Sequence, residues 1–359
     1  MPATTGMKGS GYYDRHSAAQ MSSIQAFQSW VDDGVANLTL PAPTEPITIL
    51  DLGSSEGRNA IQMMASIVAR LRQRTDQPIQ PIFSDLPSNN FNQLFANLGE
   101  ARRAGLFPAG VCPAVVGGSF YGPLRPPGTV NFATCFNSIQ WLDQLPSTPV
   151  LDGIAYRRPH PTRSGGVTSP DVMAAFTRQA EQDLIRFLVC RACELAPGGK
   201  LLIASPGDTD DTRVADGLAD ILNDACLDLL ADGRLERPEY ERFTMPVYFR
   251  TVAELLAPLE IEDSPVRGTF SVDRAQALEV PTPFAVEFRR SGDAAAYAAS
   301  FTGFIRAVTE PVVRAAFHQN NGQADTVDAL YERLRSRLEA EPERYTWRYF
   351  MVGAQLTRR

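Results

Sequence analysis

The segment ILDLGSSEGRN, residues 49–59, holds the residue types and spacing best suited to chemistry. An apolar strand run leads into Asp51, and Gly53 and Gly57 then bracket a tight turn into a helix. A glycine lets the backbone approach a ligand closely, and the helix N-terminus beyond it favours an anionic group. Two ligand chemistries compete for such a turn. A dinucleotide site asks for GxGxxG around a pyrophosphate. Here the spacing is GxxxG with an acidic residue before the first glycine, which suits a ligand carrying an ammonium and a sulfonium and no phosphate. Such a ligand needs a second acid at the end of the next strand, accepting from both ribose hydroxyls. Asp85 in IFSDLP stands there, with a simple loop cap as the alternative. In GGSFYG (117–122), Ser119 is placed to hydrogen-bond an adenine and Phe120 to stack on it.

The elements that must position these residues alternate. ITIL (47–50), PIFSDL (81–86), PAVVGGSF (113–120), VNFATCF (130–136) and KLLIASPG (200–207) read as strands. Residues 57–74 and 176–195 have helical apolar spacing, the second run ending at PGG. That order predicts a parallel, doubly wound α/β sheet. From residue 208 the pattern turns helical, over 214–233, 294–317 and 328–345, and YTWRYFMVGAQLT closes the chain as a strand. A nucleotide-type core followed by helices predicts a cap over the carboxyl ends of the strands, where such sheets bind ligands.

Composition narrows the field. The net charge of −7 argues against a nucleic-acid partner, and no run of about 18 apolar residues predicts a membrane span. The first residues, MPATTGMKGSGYYDRHS, lack an apolar leader core and read as a cytoplasmic start. Five scattered cysteines make a disulfide framework improbable, and Cys190 and Cys193 read as helical thiols. Of three histidines, His160 and His318 read as structural or solvated, while His16 lies between candidate site residues.

Taken in sequence, YYDRHSAAQ, DLGSSEGRN, SDLPSNNFNQLF and GSFYGPLRPPGTVNFATCFNSIQWL resemble the SABATH methyltransferases. The likeness continues through FLVCRACELAPGGKLLIASPG, LADILND, RAVTEPVVRAAF and the last strand. That family uses S-adenosylmethionine to methylate salicylic, benzoic, jasmonic and indole-3-acetic acids, and ring nitrogens of xanthine alkaloids. Abundant Arg, only Lys8 and Lys200 as lysines, and no plant-type extension point to a bacterial member.

The resemblance implies a class I methyltransferase fold, Rossmann-like with a mainly parallel doubly wound sheet and an α-helical cap. It implies one catalytic unit over 1–359, with a core of about 40–142, 183–207, 258–290 and 345–359. The cap then takes about 1–39, 143–182, 208–257 and 291–344. Ser17, Asp51, Gly53, Asn59, Asp85, Leu86, Ser119 and Phe120 fall on the family's donor-binding positions. Gln20 and Trp141 fall on the pair that holds the acceptor carboxylate, and Asn137, Gln140, Ala215, Ile305, Val308 and Tyr349 on the pocket lining. The family also implies a homodimer. Asn137 replaces a common aromatic, Gln140 a Met or His, Ala215 a bulky tryptophan, and His16 an asparagine. The donor site is therefore expected intact and the acceptor pocket rebuilt.

The implied reaction is an in-line displacement from a sulfonium to a carboxylate. An ordinary carboxylate is ionised at neutral pH, so no general base is required. Leu151 and Glu241, where some relatives are linked to a divalent ion, make no ligand set, so no metal is expected. The partner is a small carboxylic acid, aromatic or terpenoid in size. Alternatives are an N-methyltransferase on a heterocycle, which Asn137 and Gln140 favour, and a non-catalytic donor-binding protein. A Rossmann oxidoreductase is disfavoured by the glycine spacing.

Overall fold

The central strands of this chain are short apolar runs buried on both faces. In the computed structural model, which describes residues 6–146, 170–317 and 324–359, β1 (Ile47–Leu52) is buried throughout. Ile47 and Ile49 enter one apolar layer and Leu50 and Leu52 the other. This is the side-chain alternation of a strand covered on both sides.

Three helices precede it, α1 (Tyr12–His16), α2 (Ala18–Ala26) and α3 (Gln28–Ala36). Then follow α4 (Arg58–Arg72), β2 (Ile79–Asp85), α5 (Phe91–Arg103), β3 (Ala114–Gly117) and β4 (Val130–Phe136). The long α6 (Pro170–Glu194) leads into β5 (Leu195–Pro206). Beyond lie α7 (Leu218–Ala231), α8 (Arg237–Arg242), α9 (Val252–Glu260) and β6 (Phe270–Glu279). The chain finishes with α10 (Pro283–Ser291), α11 (Ala294–Ala316), α12 (Ala324–Ala340) and β7 (Phe350–Arg358).

The seven strands lie in the order β3-β2-β1-β4-β5-β7-β6. β1 to β5 are mutually parallel, while β7 is antiparallel to both β5 and β6. The order reverses between β1 and β4, so a crevice opens beyond their carboxyl ends. Phe27, Trp30, Ile61 and Met64 of α2–α4 cover one face with β1, and Leu184, Phe187 and Leu188 of α6 cover the other. The first layer runs without a break into α7, α11 and α12 through Leu222, Phe301, Phe304 and Leu334.

The expected doubly wound sheet is present, with three differences in detail. β6 (FSVDRAQALE) lacks an apolar alternation because it is an edge strand exposed along most of its length, pairing with β7 alone. β5 begins at Leu195 rather than 200, and its register on β4 shifts between Val130 and Phe132, a bulge that absorbs the PGG turn. The last strand starts at Phe350 rather than 345, because Tyr345, Trp347 and Tyr349 turn inward to pack among the helices.

Candidate active site

Four chain segments end at the crevice, and each brings part of the site. After β1 the turn 53–57 holds Gly53 at φ 92°, Ser55 at φ 50° and Gly57 at φ 101°. A Cβ at Gly53 would stand 2.1 Å from Ser138 Oγ, and one at Gly57 would stand 2.3 Å from Leu94 Cδ1. Both glycines are required by their left-handed backbone, and at Gly53 the Ser138 Cβ, 2.7 Å from an added Cβ, leaves no room either. Ser55 is a non-glycine in that region, and the hydrogen bonds around it hold it there.

Those bonds come from the segment after β2. Asp85 accepts from the Ser55 N–H at 2.6 Å and from the Leu86 N–H at 2.7 Å. Asn89 Nδ2 donates to the Ser55 carbonyl at 2.7 Å and Asn90 Nδ2 to Glu56 Oε1 at 3.2 Å. The SDLPSNN block is therefore the brace of the glycine turn, as well as the source of one acid. Asp51 accepts from Ser54 Oγ at 2.7 Å and Thr134 Oγ1 at 2.9 Å. Burial pushes the Asp51 and Asp85 carboxyls up to about 6 against these hydrogen bonds, and the Asp85 charge raises Asp51 further. Two carboxyls held at that poise are suited to a cationic ligand.

Beyond the turn lies a cavity of about 690 Å³, open mouth included, whose lining includes Gly53, Asp85, Leu86, Ser119, Phe120 and Trp141. None of the described residues lining it is Lys or Arg. Within this cavity a pyrophosphate would find no cation, whereas an adenosyl group finds the Asp85 carboxyl, an aromatic ring and a glycine turn. Asp51, Gly53 and Asn59 line a smaller adjoining cavity. The donor positions named from the sequence are thus grouped at one place, with one exception. Ser17 lines neither cavity: it is buried, and its carbonyl accepts from Asn59 Nδ2 at 3.1 Å.

A second cavity, about 790 Å³ with its mouth, opens from the first. Gln20, Asn137, Gln140, Trp141, Ala215, Val308 and Tyr349 all line it. Ile305 does not; it is fully buried in the α11 packing. Trp141 borders both large cavities. Among the described residues its indole N–H has no hydrogen-bond partner, and the buried Gln20 Oε1 has none either. Asn137, at φ 53°, accepts from the Tyr349 hydroxyl at 2.5 Å.

Sequence reasoning passed over Met7 and Tyr13, which border both large cavities. Lys8 pairs with Glu310, the Lys8 N–H donates to the Ala307 carbonyl at 3.0 Å, and the Gly11 N–H donates to Glu56 Oε1 at 2.8 Å. These bonds fasten residues 6–16 between α11 and the glycine turn. Burial raises the Tyr13 phenol far above its usual value, so it stays a neutral O–H donor. The residue types YY alone gave no signal of this placement. His16 stacks on Tyr12 with ring centroids 4.1 Å apart and bonds the Tyr12 carbonyl at 2.8 Å, away from the cavity walls. His160, His318 and Leu151 lie outside the described residues. Glu241 pairs with Arg237, and no cluster of three metal-ligating side chains occurs among the described residues.

Known proteins are similar to this chain in sequence and in fold. The profile of a family described as SAM dependent carboxyl methyltransferase matches residues 3–359. Indole-3-acetate O-methyltransferase 1 of Oryza sativa subsp. japonica is 29% identical, over 92% of this chain and 86% of its own. Gibberellic acid methyltransferase 2 of Arabidopsis thaliana is 26% identical, over 92% of this chain and 87% of its own. The solved structure of a loganic acid methyltransferase with SAH superposes with a TM-score of 0.79 at 22% identity, covering 98% of each chain. That likeness shows the class I methyltransferase fold. With its sequence matched from end to end, this chain belongs to the SAM-dependent carboxyl methyltransferase family, the SABATH enzymes.

Proposed function

We propose that this enzyme methylates the carboxylate of a small organic acid held by Gln20 and Trp141. The observation that carries this reading is Trp141, which borders donor and acceptor cavities and whose indole N–H is unengaged among the described residues. Gln20 stands nearby with a buried, unpartnered amide oxygen. A half-turn about its terminal bond presents an N–H at the same spot. Two neutral donors orient a carboxylate without quenching its nucleophilicity, as a bidentate Arg would.

Asp51, Gly53, Asn59, Asp85, Leu86, Ser119 and Phe120 would hold S-adenosylmethionine, with Ser17 acting through Asn59. When bound, it supplies a methyl group on a sulfonium, which a carboxylate oxygen attacks directly to leave a thioether and an ester. The protein's part is alignment and dehydration. In-line positioning of the reacting atoms recovers on the order of 7–11 kcal/mol in favourable intramolecular cases. The charges of the two reactants cancel in the product, so a water-poor pocket under a helical cap helps. The core and cap boundaries expected from the sequence suit that purpose, with Tyr13 and Met7 added from the N-terminal segment.

The N-methyl alternative loses its support, because Asn137 and Gln140 are both engaged inside the protein. Gln140 Nε2 donates to the Asn137 carbonyl at 2.7 Å, and Gln140 Oε1 accepts from Ser205 Oγ at 2.9 Å. Family likeness further supports a homodimer. Among the described residues no helix is long and apolar enough to cross a membrane. Incubation with methyl-labelled donor and a panel of acids and xanthines tests the main reading. Label in a base-labile ester supports it, and label only in base-stable N-methyl product overturns it.

A further inference from the structure

The polar groups of the acceptor cavity divide by position. Five lie away from the donor junction or are turned from it, and each is spent on the protein. Trp347 Nε1 donates to the Val214 carbonyl at 2.7 Å, and Thr309 Oγ1 donates to the Ile305 carbonyl at 2.7 Å. Tyr349 bonds Asn137, and Asn137 Nδ2 donates to Ser23 Oγ at 2.9 Å. Gln140 is held between the Asn137 carbonyl and Ser205. The three groups without a partner among the described residues are the Gln20 amide oxygen, the Trp141 indole N–H and the Tyr13 hydroxyl. All three also border a donor-side cavity. Among the described residues, side-chain hydrogen bonding is thus offered to an acceptor at the end beside the donor.

The rest of the wall is apolar, including Leu218, Leu222, Met245, Val247 and Phe304. Trp347 is a broad plate in it, fixed by both stacking and a hydrogen bond. Its ring stacks on Tyr349 at 4.6 Å and 28°, and lies near parallel to Phe301 at 5.7 Å and 19°. With the N–H tied to Val214, the indole cannot swing without breaking that bond and the stack. Beside it, next to Val214, Ala215 leaves open the space a larger side chain would fill.

We infer that the acceptor is an apolar monocarboxylic acid whose only hydrogen-bonding group is the carboxylate that is methylated, with a body long enough to reach Trp347. Trp347 is the specificity-determining residue that flanks its body. This rests on the carboxyl-methylation reading above. A hydroxyl or ring nitrogen on the body would be desolvated against groups already paired, which lowers kcat/KM by roughly 5- to 150-fold. Each added methylene that reaches the wall raises it by about fourfold.

The test is kcat/KM for benzoic acid, 1-naphthoic acid and a ring-hydroxylated naphthoic acid, on the wild type, Trp347→Ala and Trp347→Phe. The expected order is naphthoate above benzoate by at least about tenfold, with the hydroxylated acid about tenfold below naphthoate. Trp347→Ala should lower the naphthoate-to-benzoate ratio about tenfold, and Trp347→Phe should restore part of it. Donor affinity, measured on each variant, reports that the fold is kept. Equal efficiency on all three acids, or a ratio unchanged in Trp347→Ala with donor binding retained, overturns this inference and leaves carboxyl methylation standing. Bound donor with no ester from any acid overturns both.

Discussion

Arg191, in the last turn of α6, donates from Nη1 to the carbonyl oxygen of Phe120 at 2.8 Å. Its Nη2 reaches the Gly122 carbonyl at 3.0 Å and Glu194 Oε1 at 2.9 Å, and Glu194 in turn accepts from the Leu124 and Arg125 N–H groups. Both side chains are buried. A buried ion pair is thus the fastening of the loop that carries Ser119 and Phe120 into the donor cavity. Arg191→Met leaves Glu194 charged and unpaired, so we expect a stability loss of about 3–5 kcal/mol. Donor Kd should rise with little change in acceptor KM. Denaturant unfolding and donor titration check both, and a variant that binds donor like the wild type would detach the pair from the donor loop.

Asp51 and Asp85 give a pH dependence with a defined sign. Their carboxyls are held at about 6 in the fold, against an ordinary 3.8. The unfolded carboxyls release their protons first, so these groups make the unliganded fold less stable as pH rises from about 4 to about 6. Above about 6 they add no further change. A cationic donor favours the ionised forms, so its Kd should fall as pH rises through about 6, and binding below that pH should release protons. Calorimetry in two buffers of different ionisation enthalpy measures the release; none would show that neither carboxyl meets the donor.

Gly53 allows no side chain. Its φ of 92° and the 2.1 Å approach of a Cβ to Ser138 Oγ both oppose one. Gly53→Ala should cost on the order of 1–3 kcal/mol and abolish measurable donor binding. Thermal unfolding with and without S-adenosylmethionine reads both effects.

Gln20 and Trp141 should separate donor from acceptor binding. Gln20→Ala and Trp141→Phe each remove one hydrogen bond to a charged group, a loss of about 1.5–3 kcal/mol. Acceptor kcat/KM should fall roughly 10- to 150-fold while donor Kd stays near wild type. An unchanged acceptor profile in both variants would remove the pair from the site.

Much of the donor site was legible because its chemistry is written locally. Asp51, Gly53 and Gly57 lie within one strand and turn, and Asp85 follows the next strand. The brace that Asn89 and Asn90 supply was not, since it depends on a neighbouring strand end meeting the glycine turn. β6 was invisible as a strand because an exposed edge needs no apolar alternation. In the acceptor pocket, residue type misled. Asn137 and Gln140 read as free polar groups, but Ser23, Tyr349 and Ser205, distant in sequence, engage them. Trp347 was read as part of a strand, and the packing of α10 and α11 turns it into the pocket wall.

The central claim is carboxyl methylation by this chain, and the product of a single turnover tests it most directly. Enzyme loaded with methyl-labelled S-adenosylmethionine is mixed with an apolar monocarboxylic acid, and the products are separated and treated with base. The account predicts label in a methyl ester that base hydrolyses, formed in equal amount with S-adenosylhomocysteine. Donor bound and no ester formed across the acid panel, or label retained in a base-stable product, would contradict it.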